Sequence, residues 1–312
     1  MKKALLYSIF ALGIASTTLT SCEDIFGGFL DKQPSNELTG EQVFSDWNLT
    51  VQFHLDTYNF LRHGAGRIST TWLDAATDLA ETSYGNGVRT SFNIGNFYGG
   101  SGASELVDTW EHYYRGIRKC NMLLTRIEEV PQNPADSEDK YNRDKKNYIA
   151  EARFLRAYFY WELFLRYGPI PIVTEVLDPN GDLMSKYTTR PTTKEYVVDF
   201  ILEELKSCEG NLLDYETAWK SSSAGRIGQP MACALRSRIM LFMASPRYSS
   251  ESGITWQQAA DVAKEFIDTY GTNFALFNAK DATGATLGIE NYTNALLRTC
   301  LLYTSPSPRD RG

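Results

Sequence analysis

Side-chain catalysis needs particular residue types at particular spacings, and this 312-residue chain offers few of them. Its three histidines are His54, His63 and His112. None stands in an H-E-x-x-H pair, which would bring two imidazoles to one zinc, and none lies near a nucleophile motif. Metalloprotease and triad chemistry therefore find no support. His112 falls between polar residues of a helical segment and reads as a solvated or partly packed side chain. Gly99-Gly100-Ser101-Gly102 lacks the lysine and flanking strand of a phosphate-cradling loop, so it reads as a flexible turn. Cys120, Cys208, Cys233 and Cys300 show no C-x-x-C spacing, which leaves neither a disulfide framework nor a zinc site. Asp74, Asp78 and Glu81 could form the carboxylate pair of a glycosidase, yet such pairs are too common to count. The chain reads as a non-enzyme with no cofactor and no metal.

The remaining cysteine, Cys22, carries chemistry of another kind. Lys2 and Lys3 precede an uncharged run from Ala4 to Ser21, the arrangement of an export signal. Ser8, Ser16, Thr17, Thr18 and Thr20 interrupt that run, so its apolar part is too short to span roughly 30 Å of hydrocarbon. It ends in Leu19-Thr20-Ser21-Cys22, which resembles a bacterial lipobox and makes Cys22 the expected lipidated N-terminus. An ordinary secretory signal with an incidental cysteine is the alternative. Several acyl chains on one residue anchor stably, since each buried methylene contributes about 0.8 kcal/mol. Glu23 and Asp24 resemble the acidic signal that sends lipoproteins of Bacteroidetes to the outer face of the outer membrane.

Binding, as opposed to catalysis, has better support. Aromatic residues make up 13% of the chain, with 18 Tyr, 16 Phe and 6 Trp, more than a minimal core requires. Sugars present apolar C–H faces that stack on such rings, while their hydroxyls need amide, guanidinium and carboxylate partners. The Gly- and Asn-rich stretch from Trp72 to Tyr98 combines both. Trp72, Tyr84 and Tyr98 would be the platforms, and Asp78, Asn86 and Arg89 the hydrogen-bonding partners. A loop this long is uncommon in a compact domain unless it has a function. The alternative places Trp72 and Asp78 on a short helix, packed inward. A formal net charge of -7 argues against nucleic acid, whose binding needs clustered Lys and Arg.

These residues need a scaffold, and the periodicity predicts a helical one. A first helix is expected from Gly40 to Leu61, through Val43, Trp47, Val51 and Leu55. A second carries the stripe Leu106, Trp110, Tyr113, Ile117, Cys120, Leu124 and Ile127, and Pro131 follows its end. A third places Ala150, Phe154, Ala157, Tyr158, Trp161, Phe164 and Leu165 on one face, with Glu151, Arg153, Arg156, Glu162 and Arg166 elsewhere, and stops at Gly168-Pro169. A fourth begins at a cap on Thr192 or Thr193 and runs through Val197, Ile201 and Leu205. Two more are expected over Gln229–Ala244, through Met231, Leu235, Ile239 and Phe242, and over Thr255–Tyr270, through Trp256, Ala260, Ala263, Ile267 and Tyr270. Each is too apolar on one stripe to be stable alone, which suggests helical pairs stacked as a solenoid, with a plain bundle as the alternative.

Taken in order, the lipobox, "FLDKQPSNELT", "WEHYYRGIRKCNMLL", "AEARFLRAYFYWELFLRYGPIPIV", "RPTTKEYVVDFILEEL" and "GRIGQPMACALRSRIMLFMAS" resemble the SusD/RagB family of outer-membrane lipoproteins of Bacteroidetes. The resemblance covers most of residues 19–277. It implies a mainly all-α fold of tetratricopeptide-like helical pairs carrying a loop-rich ligand face. It also implies a partner, a TonB-dependent barrel of the SusC type, to which glycans or peptides are delivered. The expected organisation is a signal peptide over 1–21, a lipidated tether over 22–39, an incomplete helical domain over 40–299 and a non-native tail over 300–312. Ser305-Pro306-Ser307-Pro308-Arg309 has no apolar period and resembles translated sequencing adapter. Three functions follow for comparison: a glycan-capturing lipoprotein of the cell surface, a surface-anchored glycan hydrolase, and a peptide-binding or scaffolding lipoprotein.

Overall fold

Local signals set the helix boundaries. In the computed structural model, the residues described are 40–62, 77–78, 93–95, 104–178, 180–182, 185, 187–220, 225–274 and 283. The first segment breaks in two, α1 (Gly40–Phe44) and α2 (Trp47–Asp56), followed by a 3₁₀ turn over Thr57–Phe60. The break corrects the continuous helix expected over Gly40–Leu61. Asp46 causes it: its backbone is extended and its carboxylate accepts from Leu49 N at 2.9 Å, capping a new helix.

Next come α3 (Ser104–Arg126) and α4 (Glu138–Tyr167). Ser137 caps α4 by accepting from Lys140 N at 3.3 Å, and Gly168, at φ +67°, ends it where an L side chain would be strained. A π-helical run, Lys194–Leu202, continues into α5 (Glu203–Glu209). Thr192 and Glu195 cap its start reciprocally: Glu195 N donates to Thr192 Oγ1 at 3.2 Å, and Thr192 N donates to Glu195 Oε2 at 2.7 Å. After α6 (Tyr215–Lys220) come α7 (Gln229–Met243), α8 (Ser249–Ser252) and α9 (Trp256–Tyr270). Among the described residues there is no β-strand, and a single isolated bridge joins Leu213 to Gly228. The mainly helical class expected from the sequence is the class observed.

Packing follows chain order, with α3 on α4, α4 on α5, α5 on α7 and α7 on α9. Because α4 is buried on more than one face between Ala150 and Phe164, it is not the one-faced helix the periodicity suggested. Leu155, Phe159, Tyr160 and Leu163 are as buried as Phe154, Ala157, Trp161 and Phe164, while Leu165 is exposed. Three of the charged residues expected elsewhere, Glu151, Arg156 and Glu162, are buried too, and each is paired. Glu151 lies 2.7 Å from His54 Nε2 and 2.6 Å from Arg226 Nη2, Arg156 meets Glu204 at 2.6 Å, and Glu162 meets Arg166 at 3.1 Å. Burial of a charge demands such partners. Close approach also has a sequence cause at Gly116, where a Cβ would stand 2.8 Å from the Phe159 ring and 3.2 Å from Phe60 Cβ.

Two further stripes hold only in part, with Ile239 buried and Leu235 packed on the core as expected. On α7 the buried side is Ala232, Cys233, Arg236, Ile239 and Met243, and the expected Met231 and Phe242 face outward. On α9 only Ala259 is fully buried, and Trp256 and Ile267 are exposed. The core of the described residues therefore centres on α3, α4 and α5, with a second cluster around Phe44, Trp47, Leu123 and Ile127.

Candidate functional site

Beyond Gly168 the chain runs as an irregular segment over 169–178, whose backbone N–H and C=O groups find no ladder and need other partners. Side chains of α3 and α4 supply them. Tyr160 Oη accepts from Val173 N at 2.7 Å and donates to Val173 O at 3.0 Å. Asn121 Nδ2 donates to Val173 O at 2.9 Å and to Glu175 O at 3.1 Å, and its own oxygen accepts from Arg156 Nη1 at 2.9 Å. Tyr114 Oη reaches Pro171 O at 2.9 Å, and Arg118 Nη1 reaches Leu177 O at 3.0 Å. Burial pushes the phenols of Tyr114 and Tyr160 well above their ordinary value, so both stay neutral donors. The segment is thus held in one conformation by the helices beneath it.

That fixed segment walls an open cleft of about 700 Å³, lined by Trp110, Tyr114, Pro171, Val173, Leu177, Tyr187 and Thr188. Trp110 was expected in the core stripe of its helix, but it is 40% exposed at the N-terminal end of α3. Its ring lies 4.9 Å from that of Tyr114 and 5.2 Å from that of Tyr167, edge-on to the latter. A second recess of about 530 Å³ adjoins the first, sharing Pro171 and Tyr187 with it. Its other walls are Ile172, Thr174, Glu175, Thr189, Arg190, Pro191 and Glu195. Tyr187 Oη donates to Glu175 Oε1 at 2.5 Å across the opening, and Arg190 Nη1 donates to Tyr167 O at 3.2 Å and Pro169 O at 3.4 Å. Both volumes fall in the ~300–1,000 Å³ range of small-ligand sites, and apolar walls with a few oriented polar groups are their usual chemistry.

Most of the residues singled out from the sequence are not among those described. Trp72, Tyr84, Asn86, Arg89, Tyr98 and Cys22 fall outside the described residues. Asp78 sits in a turn and is exposed, not packed inward. Sequence reasoning missed the cleft because helical spacing assigned Trp110 to the core and nothing in periodicity marks Tyr187. The available signal was Pro169 and Pro171 directly after a helix end, which forbid a regular element and leave a backbone for side chains to hold.

Other polar clusters serve packing. Glu209, Cys233 and Glu265 converge, but Arg236 reaches all three, at 3.3, 3.6 and 2.9 Å, so a guanidinium already balances the two carboxylates. His112 donates to or accepts from its surroundings as a partly packed residue, with Nε2 2.9 Å from Phe60 O.

Comparison with known proteins decides the family. Residues 28–241 match the SusD-like family model described as starch-binding and associating with the outer membrane. The chain belongs to the SusD-like family. SusD-like protein P38 of Formosa agariphila is 25% identical over 216 residues, which cover 68% of this chain and 39% of that protein. A SusD-like protein of Bacteroides fragilis aligns in structure with a TM-score of 0.55 at 25% identity, over 79% of this chain and 42% of its own. A laminarin-binding SusD-like protein shares the fold, with a TM-score of 0.53 at 21% identity over 78% of this chain and 47% of its own. The chain spans about two fifths of the length of the first two relatives. The family is thus described as one that binds starch and associates with the outer membrane. No described helix is long and apolar enough to cross a membrane.

Proposed function

We propose that this SusD-like chain captures oligosaccharides or polysaccharides at the cell surface, anchored by lipid on Cys22, and passes them to a TonB-dependent transporter of the SusC type. The observation that carries the reading is the cleft between Trp110, Tyr114 and Tyr187, in a chain whose family is described as starch-binding. Rings already held in place, one exposed at Trp110 and two half-buried at Tyr114 and Tyr187, can stack on the C–H faces of sugars without first being ordered, which keeps the entropic cost of binding low. The loop from Trp72 to Tyr98 supplies further contacts: Trp72, Tyr84 and Tyr98 by stacking, and Asp78, Asn86 and Arg89 by hydrogen bonding.

Affinity gels cast with a panel of polysaccharides test capture, and a reducing-end assay on the same mixtures tests hydrolysis. Retardation without release of reducing ends is expected. Release would replace this reading with a hydrolase, and a chain that neither binds nor cleaves any glycan but holds a barrel protein would be a scaffold. Cell fractionation of Cys22→Ala tests the anchor: the variant is expected in the soluble fraction.

A further inference from the structure

Asn121, on α3, is 1% exposed, and its Nδ2 holds two carbonyls of the cleft wall at once, Val173 O at 2.9 Å and Glu175 O at 3.1 Å. A carboxamide does this only with its nitrogen toward the wall. Turned over, it would set an oxygen against two oxygens. The group on its other side decides the matter: Arg156 Nη1, from α4, donates to Asn121 Oδ1 at 2.9 Å. A guanidinium carries donors and no acceptor, so it fits the oxygen end of the amide and not the nitrogen end.

Arg156 lines neither recess and is itself aimed from a third helix. Its Nε and Nη2 donate to Glu204 Oε2 of α5 at 3.1 and 2.6 Å, which leaves Nη1 directed at Asn121. On the far side of the wall the connection continues. The Glu175 carboxylate accepts from Tyr187 Oη at 2.5 Å, and Tyr187 lines both recesses. We infer that Arg156 and Asn121 are positioning residues of the cleft: Arg156, set by Glu204, fixes the polarity of the Asn121 amide, and that amide fixes the Val173 and Glu175 backbone on which Tyr187 leans. The inference rests on the glycan-capture reading given above and deepens it, because it assigns to binding two residues that never meet the sugar.

The chemistry is specific to both side chains. Lysine at 156 would keep a charge opposite Glu204 but would lack the planar fork that serves a carboxylate and an amide in different directions. Aspartate at 121 has the shape of asparagine and keeps an oxygen toward Arg156, yet it turns a second acceptor toward two carbonyls that have no proton to give. Either change leaves the three helices joined and frees the wall. A wall that moves must be ordered again when ligand binds, which lowers affinity.

The test reads the full chain in two ways, by hydrogen exchange of peptides within 172–178 followed by mass spectrometry, and by retardation in the polysaccharide gels. Both are run well below the melting temperature of every variant. Arg156→Lys and Asn121→Asp are each expected to speed exchange of this segment and to weaken retardation about tenfold, the scale of one buried hydrogen bond. Adding Arg156→Lys to Asn121→Ala should weaken retardation no further than Asn121→Ala alone, since residues acting in series do not add. Tyr141→Phe is the control: it removes a buried hydroxyl that donates to Val130 O at 2.5 Å in the second core cluster, and it should lower the melt without moving either readout. Unchanged exchange and retardation in both variants would overturn the inference. Losses that multiply in the double variant would overturn it too, as would an equal loss from Tyr141→Phe, which would tie retardation to stability alone. If no glycan retards the parent chain, the glycan reading fails by itself, and exchange alone decides whether Arg156 and Asn121 hold the wall.

Discussion

Tyr160 holds both backbone polar atoms of Val173, accepting from its N–H at 2.7 Å and donating to its C=O at 3.0 Å. One phenol thus does for an irregular segment what a neighbouring strand does in a sheet. The residue is fully buried in α4, and its ring packs edge-on against Tyr196 and Phe200. The helix interior therefore fixes the wall of the cleft.

Removing that hydroxyl tests the relationship. Tyr160→Phe keeps the ring and leaves Val173 N–H without its partner in a dry site, at a cost of about 1–3 kcal/mol. The expected readouts are a lower urea midpoint and weaker retardation of the chain in glycan gels. An unchanged midpoint with unchanged retardation would show that the segment is held without Tyr160, by Asn121, Tyr114, Arg118 and Arg190.

A buried charge makes a sharper case. Glu151 is fully enclosed between His54 and Arg226, on helix α4, and joins three distant parts of the chain. Glu151→Ala leaves Arg226 without its anion and should destabilise by about 3–5 kcal/mol. Urea unfolding of the variant measures this, and a loss below about 1 kcal/mol would mean that Arg226 finds another partner or reaches water.

These two residues also show where the sequence was legible and where it was not. Helix ends were readable because they depend on neighbours in sequence: Gly168-Pro169 stops α4, Thr192 and Glu195 cap the next element, and Thr255 with Gln258 closes a capping box on α9. Faces were less readable. Val197, Ile201 and Leu205 are buried as their spacing implied, but α4 is buried on more than one face, where Glu151 and Arg156 meet counter-ions from other segments. A period-3.6 pattern cannot distinguish a charged residue facing water from one facing a buried counter-ion. Trp256 and Ile267 show the converse error, an apolar stripe that no described element covers. The cleft was invisible for a related reason: it is assembled from a helix end and two segments 60 to 80 residues further on, and the side chains that fix it act on backbone. Of the residues expected to bind ligand, Asp78 alone is described, in an exposed turn.

Those opposite outcomes for two tryptophans give a paired prediction. Trp161 is 2% exposed, stacked on Phe164 at 5.5 Å and met edge-on by Phe242, whereas Trp256 is 56% exposed at the start of α9. Trp161→Ala should cost about 3–5 kcal/mol, and Trp256→Ala about 0.5 kcal/mol or less. Thermal melts of the two variants side by side provide the check. A large loss from Trp256→Ala would show that its ring is covered in solution.

Burial also sets the reactivity of the cysteines. The thiols of Cys120 and Cys208 are enclosed among apolar side chains, which pushes both up to about 12 from an ordinary 9.0. The thiolate is the reacting species, so both should be inert to iodoacetamide in the folded chain at pH 8.5 and react on unfolding in urea. The folded state holds these protons more tightly than the unfolded one. Their contribution to stability is therefore complete below about pH 9 and is lost as pH rises toward 12. Peptide-resolved mass spectrometry after alkylation, with and without urea, reads both sites separately. Rapid labelling of Cys120 in the native chain would contradict the packing of α3 against α4, because that contact is what removes the thiol from water.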